Sequence, residues 1–111
     1  MQAKKLSQDV SVGEQISIDD VSRIVAAGFK SILCNRPDNE VVGQAAFAEI
    51  AAVAAKAGIE TRYIPAGAGL DPQIGAAAFA KAMKDLPKPA FAYCRSGARS
   101  TMLFQMSQQY N

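Results

Sequence analysis

The sequence predicts an α/β fold in which a mainly parallel sheet is flanked by helices. Short apolar segments alternate with helical segments of roughly 10 to 15 residues, and this alternation is typical of parallel sheets covered on both faces. The chain has 111 residues, of which 50% are hydrophobic and 20% charged, as expected for one soluble domain spanning residues 1–111. No internal repeat or linker divides it.

The first half of the chain contains the first strands and helices in order. A short strand in VSVGEQIS precedes a helix in SIDDVSRIVAAG, for which Ser17 is the expected N-cap and Gly28 the C-terminal stop. The apolar segment FKSILCN predicts a buried strand, and RPDNEVVGQ is the loop after it. An alanine-rich helix in AAFAEIAAVAAKAG follows, and then a strand in IETRYIPA.

The second half continues the alternation. In the loop GAGLDPQ, Asp71 and Pro72 predict an N-cap and a first helical position. A third helix in QIGAAAFAKAMKDL leads to the last strand, KPAFAYC. From about Gly97 a final helix is expected, with an apolar stripe formed by Met102, Leu103 and Met106. Ligands of such sheets bind beyond the carboxyl ends of the strands, where the loops converge.

Composition excludes several kinds of site. The chain has no histidine, which removes Cys–His and Ser–His catalytic pairs and histidine metal sites, and its two cysteines are too few for zinc. We therefore expect no metal and no cofactor. The net charge of +2 gives no reason to expect a nucleic-acid or membrane partner. Few cysteines and an N-terminus without an apolar signal region suit a cytoplasmic protein.

The segment FAYCRSGARS carries the clearest chemical signal. Cys94 ends an apolar strand, and a helix is expected to begin within a few residues, which is the arrangement of many phosphate-type anion sites. Gly97 permits the sharp turn, and the helix dipole should lower the pKa of the thiol. We therefore predict that Cys94 is a nucleophile and that the anion is bound by Arg95, Ser96, Gly97, Ala98 and Arg99.

The motif YCRSGARS resembles the active-site loop of rhodanese sulfurtransferases and a shortened tyrosine or dual-specificity phosphatase loop. With SVGEQIS, AGFKSILCNRPDNE and IETRYIPA, nearly the whole chain resembles the phosphatase-like domain of beta-lactamase hydrolase-like proteins. This resemblance implies a dual-specificity-phosphatase-like fold. It also implies a partner, because some proteins of this family carry a neighbouring persulfide dioxygenase domain. In those proteins the resemblance implies that this domain is a sulfurtransferase.

The length of the loop decides between two reactions. Four residues separate Cys94 from Arg99, one fewer than in tyrosine phosphatases, and a tighter loop is expected to fit a sulfane sulfur. The favoured function is thus sulfur transfer, in which Cys94 forms a persulfide from thiosulfate or a small persulfide and passes it to a thiol such as glutathione. The third possibility is a non-enzymatic sulfur carrier or regulatory domain.

The alternative enzyme is a phosphatase that acts on a phosphate ester through a phosphocysteine. It requires a proton donor, for which Asp71 is the main candidate, although Asp71 also serves as an N-cap. Ser100 resembles the hydroxyl residue that follows the phosphatase arginine.

Two further residues have open roles. Arg36 either helps to hold an anionic substrate or belongs to a polar turn. Cys34 is either a buried small hydrophobe or a thiol that resolves an oxidised Cys94.

Overall fold

The computed structural model describes residues 1–110, which form a five-stranded sheet with helices on both faces. The strands are β1 (Lys4–Lys5), β2 (Val10–Gly13), β3 (Ser31–Cys34), β4 (Glu60–Tyr63) and β5 (Ala90–Tyr93). The helices are α1 (Asp20–Ala26), α2 (Phe47–Lys56), α3 (Pro72–Asp85) and α4 (Ala98–Ser107), followed by a short 3-10 helix, Gln108–Tyr110. The predicted fold class and the order of its main elements are confirmed.

The sheet has the strand order β1-β2-β5-β3-β4 and is parallel except at β1, which runs antiparallel to β2. Tyr93 at the end of β5 lies opposite Gly13 of β2 on one side and Cys34 of β3 on the other. The carboxyl ends of these three strands are therefore level. The sequence did not predict β1, because its two exposed lysines form an edge strand without an apolar pattern.

Two apolar layers cover the two faces of the sheet. Helices α3 and α4 pack on one face, where Phe79 and Leu103 are fully buried against Leu33. Helices α1 and α2 pack on the other, where Ile24 and Ile50 are fully buried. Because β5 is central and buried on both faces, it delivers Cys94 to the middle of the carboxyl edge.

Two local predictions were wrong. The N-cap of α1 is Asp19 rather than Ser17, whose backbone N–H and hydroxyl instead donate to the Asp20 carboxylate at 2.9 and 3.3 Å. Of the apolar stripe predicted for α4, Leu103 is fully buried and Met106 packs against the same cluster, but Met102 is 37% exposed. Met102 therefore does not belong to the stripe.

The part of the chain that the structure describes contains neither a membrane-spanning helix nor a metal-binding group of side chains. No helix there is both long enough and apolar enough to cross a membrane. Within the same residues, no three side chains of the metal-binding types are grouped to hold an ion.

Candidate active site

The loop after β5 makes the expected strand–loop–helix turn. Gly97 is the N-cap of α4 and has a φ of +98°, in the left-handed region that glycine adopts most easily. This turn directs the backbone N–H of Gly97 back to Cys94 Sγ, at 3.0 Å. The loop thus folds around the thiol, as the sequence predicted.

The neighbouring strand β2 braces this loop. The N–H of Cys94 donates to the Gly13 carbonyl at 3.4 Å, and the N–H of Gln15 donates to the Arg95 carbonyl at 3.3 Å. A Cβ added at Gly97 would lie 3.5 Å from the Gly13 oxygen, an ordinary van der Waals distance, so the positive φ rather than lack of space favours glycine there. These two backbone hydrogen bonds tie the loop to the end of β2.

Cys94 is fully buried, and two opposing effects act on its pKa. Burial is the larger single effect and raises the pKa, because it disfavours the thiolate. Hydrogen bonds from the backbones of Ser100, Gly97 and Ser96 together outweigh burial, so the net pKa is lowered. The environment therefore favours the nucleophilic form of the sulfur.

Ser100 is fully buried in the first turn of α4. Its hydroxyl has no hydrogen bond of ordinary geometry to any residue in 1–110, yet it lies near enough to Cys94 to help lower the thiol pKa. The residues that surround the Cys94 sulfur thus include Ser100, one position past Arg99.

Arg99 is held from two sides. Its Nη1 and Nη2 donate to the Glu40 carboxylate at 2.7 and 2.8 Å, and Nη1 also donates to the Ala66 carbonyl at 2.7 Å. A Cβ at Gly67 would lie 3.1 Å from Nη1, so glycine leaves room for the guanidinium. Residues from the loops after β3 and β4 therefore fix the position of this side chain.

The contacts with Glu40 and Ala66 leave one edge of the Arg99 guanidinium unused. The bonds to Glu40 and Ala66 use both Nη1 hydrogens and one Nη2 hydrogen, which leaves the fork of Nε–H and the second Nη2–H. Cys94 interacts with the Arg99 guanidinium and helps to raise its pKa, after the larger effect of Glu40. This fork suits bidentate binding of an oxyanion beside the sulfur.

Arg36 belongs to the same network and is only 4% exposed. Its Nε donates to Glu40 at 2.9 Å, and its Nη1 donates to Gln15 Oε1 at 3.2 Å. Glu40 thus bridges two arginines, whose hydrogen bonds lower its pKa to about 2. Arg36 is therefore buried in a hydrogen-bonded network rather than part of a solvated turn, and its role in holding an anionic substrate stays a prediction.

The sequence did not assign roles to two members of this network. Glu40 lies in the predicted loop RPDNEVVGQ, where no partner is predicted for it, and Gln15 has no predicted role. The spacing of Glu40 four residues after Arg36 was an available signal for a pair between them. The contact between Glu40 and Arg99 joins residues 59 positions apart, so no local pattern indicates it.

The other predicted site residues lie around this centre. Three of them, Arg95, Ser96 and Ala98, are exposed. The N–H of Ala98 donates to the Ser96 hydroxyl at 3.3 Å. Asp71 is exposed and caps α3, where its carboxylate accepts from the N–H of Gln73 at 2.9 Å. Its N-cap role is thus present in the structure, and its role as an acid stays a prediction.

Cys34 lies in the apolar layer between the sheet and helices α1 and α2. Its Sγ donates to the Arg36 carbonyl at 3.3 Å, and burial raises its pKa. Cys34 therefore packs as a small protonated hydrophobe. Its reaction with an oxidised Cys94 remains a prediction.

Comparison with known proteins shows the family of this chain. Residues 2–111 match the family described as beta-lactamase hydrolase-like protein, phosphatase-like domain. The beta-lactamase hydrolase-like protein of Agrobacterium fabrum is 30% identical over 108 residues, which are 97% of this chain and 25% of the relative. The chain thus spans about a quarter of the length of the curated relatives it matches.

Solved structures agree with this grouping. A crystal structure of a candidate phosphatase from Neisseria meningitidis has a TM-score of 0.82 and 31% identity, covering 90% of this chain and 71% of that one. The catalytic domain of the PP-IP phosphatase SIW14 from S. cerevisiae has a TM-score of 0.62 and 14% identity, covering 97% of this chain and 74% of that one. The second likeness shows the fold alone.

Proposed function

The chain belongs to the phosphatase-like domain family of beta-lactamase hydrolase-like proteins, and we propose that it is a cysteine-dependent phosphatase acting on phosphate monoesters. The observation that carries the proposal is the free fork of Arg99 beside a buried thiol of lowered pKa. A fixed, bidentate donor next to a thiolate nucleophile is the arrangement that phosphoryl transfer to sulfur requires.

In the first step, the Cys94 thiolate attacks phosphorus and forms a phosphocysteine. The loop N–H groups and the Arg99 fork bind the nonbridging oxygens, where charge is held during transfer. The bond between phosphorus and the ester oxygen breaks, and Asp71 in its acid form gives its proton to that oxygen.

In the second step, water attacks the phosphocysteine. Asp71, now ionised, accepts a proton from this water as it attacks phosphorus. The sulfur–phosphorus bond breaks, inorganic phosphate leaves, and Cys94 returns to the thiolate. No histidine is needed, because the loop itself favours the ionised sulfur.

This proposal replaces sulfur transfer as the preferred function. The comparisons support the phosphatase alternative and give no support to sulfurtransferase activity, a thiol acceptor or a persulfide dioxygenase partner. The residue count between Cys94 and Arg99 does not by itself decide between the two reactions. Ser100 also acts on Cys94, so the number of residues between Cys94 and Arg99 does not measure the size of the cradle.

The test is turnover of phenyl phosphate, with thiosulfate and glutathione as the competing assay. We expect phosphate release by the wild type and none above background by Cys94→Ser. We expect Asp71→Asn to lower kcat by about a hundredfold, while Asp85→Asn, at the other end of α3, leaves kcat unchanged. Transfer of sulfur without release of phosphate would contradict the proposal and restore the sulfurtransferase.

A further inference from the structure

Asn35 is a fully buried polar residue that directly follows β3 at the carboxyl edge of the sheet. Its backbone N–H donates to the carbonyl of Tyr93, the residue before Cys94, at 2.7 Å. Its backbone carbonyl accepts from the N–H of Ala66 at 2.9 Å. Asn35 therefore lies between the strand that leads to the proposed nucleophile and the loop that holds Arg99.

The side chain of Asn35 adds a second hydrogen bond to the same loop, from Nδ2 to the Ile64 carbonyl at 2.9 Å. Together with the bond from the Ala66 N–H, it attaches both residues that flank Pro65, which has no N–H of its own to donate. The Ala66 carbonyl then accepts from Arg99 Nη1 at 2.7 Å. The segment after β4 is thus fixed to the end of β3 at the point where it holds the arginine.

Stability alone does not explain an amide side chain at position 35. The Asn35 Oδ1 atom is buried and has no hydrogen-bond partner among residues 1–110. An unpaired buried acceptor destabilises a fold by at least as much as one ordinary hydrogen bond stabilises it. The amide therefore offers little net stability, which points to a role in placing the loop after β4.

We propose that Asn35 is a positioning residue for Arg99. This inference rests on the proposed function, in which the unused Nε–H and Nη2–H of Arg99 bind the phosphoryl oxygens. Loss of the bond from Asn35 Nδ2 to Ile64 would free the Ala66 carbonyl to move. A guanidinium that moves with this carbonyl no longer presents its two donors at the angle that bidentate binding requires.

Binding of tungstate, a phosphate-like oxyanion, tests this role separately from catalysis. Calorimetric titration of Asn35→Ala should give a Kd about tenfold higher than that of the wild type. The pH at which alkylation of Cys94 by iodoacetamide is half-maximal should not change. The hydrogen bonds that lower the pKa of Cys94 come from its own loop and from the first turn of α4, and Asn35 donates none of them.

Ser31→Ala is the matched control. Ser31 is fully buried at the opposite end of β3, and its hydroxyl donates to the Pro87 carbonyl at 2.8 Å. This substitution also removes a buried side-chain bond to a main-chain carbonyl, but the bond lies at the end of the strand away from Arg99. Ser31→Ala should therefore bind tungstate with the wild-type Kd.

A double-mutant cycle measures whether the effect of Asn35 passes through Arg99. Arg99→Lys keeps the positive charge but lacks the planar pair of donors. In this background Asn35→Ala should change the Kd of tungstate by less than about twofold, because no guanidinium remains to be positioned.

The positioning role is overturned if Asn35→Ala keeps the wild-type Kd, if Ser31→Ala raises the Kd equally, or if the rise persists in full in Arg99→Lys. A shifted alkylation midpoint in Asn35→Ala would also overturn it, since the Cys94 loop would then be disturbed. Asn35→Ser, whose hydroxyl is too short to reach the Ile64 carbonyl, takes the place of Asn35→Ala if the alanine variant does not fold. The proposed function fails on a separate result, in which the wild type binds tungstate but does not hydrolyse phenyl phosphate.

Discussion

At the scale of single residues, the Cys94 sulfur shows how backbone groups can offset burial. Burial disfavours the thiolate form of a cysteine, and it raises the pKa of Cys34 here. Cys94 is also buried, but N–H groups of its own loop and of the first turn of α4 converge on its sulfur. The difference between the two cysteines is therefore one of hydrogen bonding rather than of exposure.

The pH dependence of alkylation should report this difference. We expect the rate of modification of Cys94 by iodoacetamide to reach half its maximum at a pH below about 8.5, the value for an ordinary thiol. Ser100→Ala should move this midpoint to higher pH, because the hydroxyl helps to lower the pKa of Cys94. The experiment uses a Cys34→Ala background, so that Cys94 is the one cysteine that can be alkylated. Mass spectrometry then measures the extent of alkylation. An unchanged midpoint in Ser100→Ala would show that the hydroxyl has no part in activation.

Glu40 should matter for both stability and turnover. Glu40→Gln removes the charge that Arg36 and Arg99 share, and Arg36 is too buried to be solvated instead. We expect unfolding in urea to become easier by about 1–3 kcal/mol and kcat/KM for phenyl phosphate to fall by about tenfold or more. Glu60→Gln, on exposed β4, should change neither quantity.

The same residue predicts how stability responds to acid. The pKa of Glu40 in the folded protein is about 2, below its ordinary value, so folding favours the ionised form. Its contribution to stability is complete above about pH 5 and is lost as the pH falls toward 2. Glu40→Gln should therefore lose less stability over this interval than the wild type. Parallel acid profiles for the two proteins would contradict the assignment.

At the scale of secondary structure elements, helix α3 begins at a residue with two proposed roles. Asp71 caps the helix through the N–H of Gln73, and Pro72 occupies the first helical position. An asparagine can cap as well as an aspartate, but it cannot donate or accept the catalytic proton. Substitution at this one position can therefore separate the structural role from the chemical one.

We expect Asp71→Asn to unfold at the same urea concentration as the wild type, while its turnover falls. Asp71→Ala should lose both activity and about 1 kcal/mol of stability, because it removes the cap. Chemical denaturation and phenyl phosphate assays on the same preparations measure both effects. If Asp71→Asn keeps full activity, the residue is a cap only, and another group must protonate the leaving oxygen.

At the scale of the whole molecule, an anion that binds this site should stabilise the entire domain. Tungstate resembles phosphate in charge and shape, and it would contact parts of the chain from β5 and α4. At a hundred times its Kd, a ligand adds about 2.7 kcal/mol to the free energy of unfolding, which raises Tm by about 10 °C for a domain of this size. Sodium chloride at the same ionic strength should give no such rise, and Cys94→Ser should retain most of it. Equal shifts with both salts would indicate that no specific anion site exists.

The sequence predicted the parts of this molecule that depend on local patterns. Alternating apolar and helical segments indicated four of the strands and all four helices. Cys94, Gly97 and Arg99 come together at the turn from β5 into α4 because they are neighbours in the chain. The hydrogen bonds that Arg99 donates to the Glu40 carboxylate and to the Ala66 carbonyl could not be predicted. Those contacts depend on how the loops after β3 and β4 pack against α4. Hydrophobic periodicity in the sequence gives no information about that packing.

The hydrogen bond from Arg99 to the Ala66 carbonyl has a consequence for variation among related chains. A main-chain oxygen is present whatever the side chain, so position 66 can change among small residues without loss of this contact. Position 40 has no such freedom, since its carboxylate is a side-chain group. We therefore expect the requirement at position 66 to be one of size and backbone path, and the requirement at position 40 to be one of chemical identity.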